Sequence, residues 1–212
     1  MKCAREKLRL YAVTDRNWCG EKTLAEQVLE ALKGEITMVQ LREKHLPEEE
    51  FLAEAKLIKA LCREYQVPFI INDNVKIALA CGADGVHVGQ DDMPVAQVRQ
   101  MVGSHMMIGV SVKTVDEAKK AVAGGADYLG VGAVFPTTTK LDAEPVRKQE
   151  LKAICQAVSV PVCAIGGITK TNILQLQETG IAGVALVSAI FANKEITTAC
   201  RELKQLVAQV VI

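Results

Sequence analysis

The sequence predicts an α/β protein, a single (β/α)8 TIM barrel occupying residues 1–212. Three observations carry this prediction. Eight short apolar runs punctuate the chain, as strands buried on both faces of a parallel sheet do. Amphipathic stretches of helical spacing alternate with them, the pattern of repeated βα units. One glycine-containing turn recurs as Gly82-Ala-Asp-Gly85, Gly124-Gly-Ala-Asp127 and Gly180-Ile-Ala-Gly183. Repetition of one αβ turn favours a closed, quasi-symmetric ring over an open sheet, with Gly as the helix stop. No G-x-G-x-x-G opens a helix after the first run, which argues against a dinucleotide fold.

In chain order, the predicted strands are Leu8–Val13, Met38–Leu41, Phe69–Ile71, Gly85–Val88, Met107–Val110, Tyr128–Val131, Val162–Ile165 and Gly183–Val187. Between and after them, Leu24–Leu32 places Leu24, Val28 and Leu32 on one stripe. Pro47–Cys62 opens Pro-Glu-Glu-Glu, a favourable first turn, and sets Phe51, Ala55, Ile58 and Cys62 at helical spacing. Lys76–Cys81, Val95–Val102, Val115–Ala123, Arg147–Ala157, Lys170–Glu178 and Thr197–Val210 complete the helices.

Composition narrows the function. The 212 residues are 50% hydrophobic, enough for one sizeable core. Lys plus Arg and Asp plus Glu are 25 each. This balance gives no electrostatic reason to expect nucleic acid or an acidic membrane as partner, and no apolar run reaches spanning length. The seven cysteines form no C-x-x-C pair and no zinc-spaced cluster. They read as core filler in a reducing, cytoplasmic setting. A homo-oligomer is compatible with the sequence.

In such barrels, chemistry sits at the C-terminal strand ends. After the second run, period two puts Gln40, Arg42 and Lys44 of Gln40-Leu-Arg-Glu-Lys44 on one face. The two cations suit a polyphosphate; the alternative is a solvated strand end paired with Glu43. After the third and fourth runs come Asn72-Asp-Asn74 and His87-Val-Gly-Gln-Asp91-Asp92. Both could be turns or caps. Alternatively, Asp73 and Asp92, on neighbouring strands, share a Mg2+ whose other ligands are waters and substrate phosphates; Asp91 is the other candidate ligand. His87 reads as a satisfied polar group lining the barrel or a supporting group, while His45 and His105 read as surface residues. Ser111 brings a hydroxyl to the mouth after the fifth run. The long polar insert Gly132–Asp142 carries Thr137, Thr138, Thr139 and Lys140, residue types that bind phosphate; its length marks it as functional. After the seventh and eighth runs, Gly166-Gly167 and Ser188 occupy the position where barrels bind a monophosphate. Two anion sites are thus predicted, with room between them for two substrates to be joined.

These motifs, taken in order from Tyr11-Ala-Val-Thr-Asp15 through Pro136-Thr-Thr-Thr-Lys140 to Val187-Ser-Ala-Ile-Phe191, resemble the thiamine-phosphate synthase family over nearly the whole chain. The resemblance implies a transferase of thiamine biosynthesis. It would couple 4-amino-2-methyl-5-hydroxymethylpyrimidine diphosphate with 4-methyl-5-(2-hydroxyethyl)thiazole phosphate, or its carboxylated form, and release pyrophosphate. It also implies roles. The segment from Gln40 through Leu41, Arg42 and Glu43 to Lys44, with Asn72, would hold the pyrimidine diphosphate. Asp73 and Asp92 would ligate Mg2+, and Ser111 and Lys140 would contact the pyrimidine. Thr137 to Thr139, Gly167, Val187 and Ser188 would bind the thiazole phosphate. Arg42, Lys44, Lys140 and Ser111 would assist catalysis. One departure stands out: Val112-Lys113 follows Ser111 where the family often has a small residue and then His. The related thiazole tautomerase is the nearest alternative, against which the Gln-x-Arg-x-Lys segment and both aspartates speak. A phosphate-ligand sensor is another, but no second signalling domain is recognisable.

Overall fold

A computed structural model describes residues 2–137 and 145–211. The strands are β1 (Leu10–Val13), β2 (Met38–Leu41), β3 (Phe69–Asn72), β4 (Gly85–Val88), β5 (Met107–Val112), β6 (Tyr128–Gly132), β7 (Val162–Ile165) and β8 (Gly183–Leu186). All are parallel, each pairs with its sequence neighbour, and β8 returns to β1 with Ala12 opposite Leu186. The ring is a closed (β/α)8 barrel. Helices α1 (Leu24–Lys33), α2 (Glu48–Glu64), α3 (Val75–Cys81), α4 (Val95–Val102), α5 (Val115–Ala123) and α6 (Lys148–Ala157) follow the first six strands. The four-residue α7 (Ser188–Phe191) and then α8 (Ile196–Ala208) follow β8. No helix among the described residues is long and apolar enough to cross a membrane.

Two apolar layers result from strict alternation along strands buried on both faces. Outward residues such as Val39, Phe69, Ile71, Val86 and Leu129 pack under the helices. Inward residues, including Tyr11, Met38, Ile70, Met107, Tyr128 and Cys163, fill the lumen. All seven cysteines are free, and burial is the main cause raising the thiols of Cys62 and Cys155 to about 12 and about 11. They serve as packing rather than as nucleophiles.

Two sequence expectations need correction. The first strand begins at Leu10, because Arg5–Leu8 forms a 3-10 turn that packs Leu8 beneath the barrel. The expected helix over Lys170–Glu178 is a four-residue 3-10 turn, Ile173–Leu176. Asn172 is diverted to loop bonds, accepting from Thr169 N at 2.8 Å and donating to Gly167 O at 2.9 Å. Glu178 then takes a left-handed φ of 65°, which no helix tolerates.

The recurrent αβ turn has a physical purpose at the N-terminal end of the barrel. Asp84 Oδ2 accepts from Phe69 N at 2.8 Å and from Lys59 Nζ at 2.6 Å. Asp127 Oδ2 accepts from Ile108 N at 2.9 Å and from Arg99 at 2.5 Å. Thr37 Oγ1 does the same for Leu10 N at 2.9 Å. In all three, the residue's own N–H bonds the carbonyl of that same neighbouring residue. Each side chain therefore clamps the entry of one strand to the next. The third glycine turn carries Ala182 at this place and keeps only the backbone bond, to Val162 O. Asp127→Ala orphans the Ile108 N–H and leaves Arg99 only its carbonyl acceptors at Gly103, Met106 and Gly125, and is expected to cost about 2–3 kcal/mol of unfolding free energy. Thr37→Val should cost about 1 kcal/mol. Urea titration of both variants checks the order.

Candidate active site

The mouth of the ring is built from the segments that follow the strands. Gln40 is the inward residue nearest the C-terminal end of β2 and is buried. Strand β2 ends at Leu41, so Arg42 and Lys44 project from the loop and not from a continuing strand. Thr14 Oγ1 accepts from Arg42 N at 3.0 Å, and Arg42 Nη1 lies 3.5 Å from Asp15 Oδ2. Both polar residues directly follow β1, and both escaped the sequence reading although the strand-end rule points at them. Glu43 pairs with neither Arg42 nor Lys44. It turns to Arg16, 2.9 Å away, which also reaches Glu54 of α2 at 2.6 Å. This outer clamp ties the loop to α2 and leaves Arg42 and Lys44 to Asp15 and Asp73.

Lys44 Nζ donates to Asp73 Oδ2 at 2.5 Å. Asp73 sits just beyond β3 at a left-handed φ of 62°, an arrangement Asp accepts more readily than most residues. Its N–H bonds His87 O at 2.8 Å, tying the end of β3 to β4. Asp92 folds back from the next loop, accepting from Gly89 N at 2.7 Å, and its carboxyl meets that of Asp73. Burial raises the Asp73 carboxyl above its ordinary range, and Asp92 adds to this against the pull of Lys44. Asp91 is exposed and caps nothing; α4 starts from Pro94 without a side-chain cap. Among the described residues no group of three or more His, Cys, Asp or Glu side chains converges as a metal cage. Two adjoining carboxylates open to the mouth are instead a donor set for a hard cation that keeps waters and takes phosphate oxygens.

Inside the ring, His87 is buried and satisfied, as read from the sequence, but its partners are specific. Its Nε2 lies 2.9 Å from Ser111 Oγ and its Nδ1 3.1 Å from Tyr128 Oη. Tyr128 Oη meets Tyr11 Oη at 2.9 Å, and Gln40 Nε2 donates to Tyr11 Oη at 2.7 Å. The strands make room for this chain. A Cβ on Gly109 would lie 2.1 Å from Tyr128 Cζ and 2.4 Å from His87 Nδ1. Tyr11 and Tyr128 were not foreseen as polar partners, since tyrosines within apolar runs read as core.

On the opposite side, Gly166 and Gly167 have φ of 94° and 66°. A Cβ on Gly167 would meet Pro136 O at 2.3 Å, so the two loops touch backbone to backbone. Val187 and the exposed Ser188 lie on the adjacent β8 loop, where α7 begins. Thr137 follows Pro136, the residue whose carbonyl faces Gly167. Thr138, Thr139 and Lys140 lie outside the described residues. A cavity of about 160 Å³ lies under the β6 loop against α6, lined by Val134, Phe135, Val146 and Leu151. It contains none of the predicted site residues.

Known proteins resemble this chain in sequence and in fold. The family model "Thiamine monophosphate synthase" matches residues 10–190. Thiamine-phosphate synthase of Alkaliphilus oremlandii is 49% identical over 195 residues, covering 92% of this chain and 93% of that protein. The Clostridium tetani enzyme of the same name is 47% identical over 194 residues, with 92% and 93% covered. The solved thiamine phosphate pyrophosphorylase from Pyrococcus furiosus superposes with a TM-score of 0.91 at 40% identity, covering 98% of this chain and 99% of that one. A 3-hexulose-6-phosphate synthase at 18% identity and TM-score 0.68 shares the fold.

The clamp behind the β2 loop should be visible in the pH dependence of stability. Burial raises the Glu54 carboxyl from 4.5 to about 7, with Glu43 adding to the rise and Arg16 opposing it. A raised acid binds its proton more tightly folded than unfolded. Its contribution therefore makes stability fall as pH rises from 4.5 to about 7, then level off. Glu54→Gln should flatten that fall, measured as the denaturation midpoint between pH 4.5 and 8.

Proposed function

The chain belongs to the thiamine monophosphate synthase family and has its transferase activity, and we propose that its mouth joins 4-amino-2-methyl-5-hydroxymethylpyrimidine diphosphate to 4-methyl-5-(2-hydroxyethyl)thiazole phosphate, or its carboxylated form, as one barrel unit. The observation that carries the proposal is the division of the rim. Lys44, Arg42, Asp73 and Asp92 gather on the β2–β4 side, while the close-set Gly167 backbone and Ser188 lie on the β7–β8 side.

In this reading Arg42 and Lys44 take the diphosphate, with Gln40, Leu41, Glu43 and Asn72 shaping its seat. Glu43 offers its backbone there, its carboxylate being committed to Arg16. Asp73 and Asp92 would hold Mg2+, which when bound supplies positive charge to a departing pyrophosphate. The bond between the pyrimidine methylene carbon and the diphosphate oxygen breaks, and its electron pair leaves with pyrophosphate. The electron-rich aminopyrimidine carries the resulting cation, beside Ser111. The thiazole nitrogen lone pair then forms the C–N bond. Thr137 to Thr139, Gly167, Val187 and Ser188 anchor the thiazole phosphate. Arg42, Lys44 and Lys140 stabilise the charge that develops on the leaving group. No side-chain nucleophile is required, so the protein's task is to position two partners and exclude water.

Supplying both substrates with Mg2+ should yield thiamine phosphate and pyrophosphate; isomerised thiazole without coupling would reject the proposal. Asp73→Ala and Asp92→Ala are each expected to lower turnover about a hundredfold or more, with melting temperatures near wild type. Wild-type rates at limiting Mg2+ would remove the metal role. Lys140→Ala should slow the single-turnover rate while leaving thiazole phosphate affinity unchanged; an unaltered rate would remove Lys140 from the chemical step.

A further inference from the structure

The chain of hydrogen bonds through the lumen has a direction. Burial raises the phenols of Tyr11 and Tyr128 well above their ordinary value, so each keeps one proton to place. Tyr11 Oη accepts from Gln40 Nε2. Its own proton must go to Tyr128 Oη, 2.9 Å away, because Tyr11 is fully enclosed and an orphaned hydroxyl there is costly. Tyr128 must then donate to His87 Nδ1. A neutral imidazole that accepts at Nδ1 carries its proton on Nε2, so His87 donates to Ser111 Oγ. Ser111 thereby accepts on its inner side and has its proton left for the mouth. At the other end Gln40 Oε1 takes no part in the chain. Among the described residues only Gln27 Oε1 is a buried side-chain polar atom without a partner, so Gln40 Oε1 opens to solvent.

We propose that Tyr11, Tyr128 and His87 are positioning residues that fix opposite hydrogen-bonding polarity at the two ends of the chain, Ser111 as a donor to the mouth and Gln40 as an acceptor. A ligand that fits this pair is a planar ring offering an acceptor nitrogen and a donor amine, as an amino-substituted pyrimidine does. The identity of that ring rests on the function proposed above; the polarity does not. Gly109 and Gly130 make room for the relay to close. A Cβ at Gly109 would strike both Tyr128 and His87, and one at Gly130 would lie 3.2 Å from His87 Cε1. Two neighbouring strands thus give up side chains to seat one imidazole.

The test reads the imidazole directly. His87 is one of three histidines, and long-range proton–nitrogen correlation spectra of the 15N-histidine-labelled full chain, assigned with His87→Gln, report its tautomer. Protonated Nε2 with bare Nδ1 is expected; the opposite tautomer overturns the proposal. Kinetically, Tyr128→Phe should lower kcat/KM for the pyrimidine diphosphate roughly tenfold and leave the KM for the thiazole phosphate unchanged. Equal losses for both substrates, or no loss, would reject a positioning role. Should Tyr128→Phe melt early, His87→Gln, which retains a donor to Ser111, is expected to keep several-fold more activity than His87→Leu; equal activities overturn the proposal. The spectroscopic reading needs no turnover. Protonated Nε2 in a chain that makes no thiamine phosphate sinks the proposed reaction and leaves the relay standing. Coupling by a chain with protonated Nδ1 sinks the relay alone.

Discussion

Closure of the strand ring is the constraint on which everything else here depends. All eight strands are only four to six residues long, and β1 and β8 would be raw edges if they did not pair. Because they do, every strand has two neighbours and its inward residues are forced into one narrow lumen. Closure also aligns all eight strand ends in the same direction, which brings Arg42, Asp73, Ser111, Gly167 and Ser188 to one rim although they are scattered through the sequence. The site is a consequence of topology before it is a consequence of any single side chain.

The lumen is not uniformly apolar, and this shapes the rim. Its floor holds Met38, Ile70, Met107 and Cys163, while its upper part holds the run of polar groups from Gln40 to Ser111. Leaving a polar group in such a place without a partner is costly, so every enclosed member of the run is paired and only its two ends face the mouth. The rim then divides into an acidic and cationic side around Asp73 and Lys44 and a backbone-lined notch around Gly166 and Gly167. The polar lumen lies beneath the space between them.

Much of this was legible in the sequence because the signals were local. The eight apolar runs and most helices lie within a residue or two of their predicted places, and the pairing of Asp73 with Asp92 followed from neighbouring strands. What was not legible depended on distant contacts. The Lys170–Glu178 stretch has helical periodicity, but Asn172 bonds Gly167 and Glu178 goes left-handed, and neither is written in spacing. Tyr11 and Tyr128 are 117 residues apart and look like core until the ring brings their hydroxyls together. Glu43 was grouped with Arg42 and Lys44 by adjacency, yet consecutive side chains diverge, and it found Arg16.

The clamps formed by Thr37, Asp84 and Asp127 lie at the opposite end of the barrel from the mouth. That separation has an evolutionary reading. Residues that hold the ring shut are not those that meet ligands, so a rim loop can be lengthened, recharged or exchanged without loosening the staves below it. A barrel secured at its base leaves its opening free to be rewritten for new chemistry.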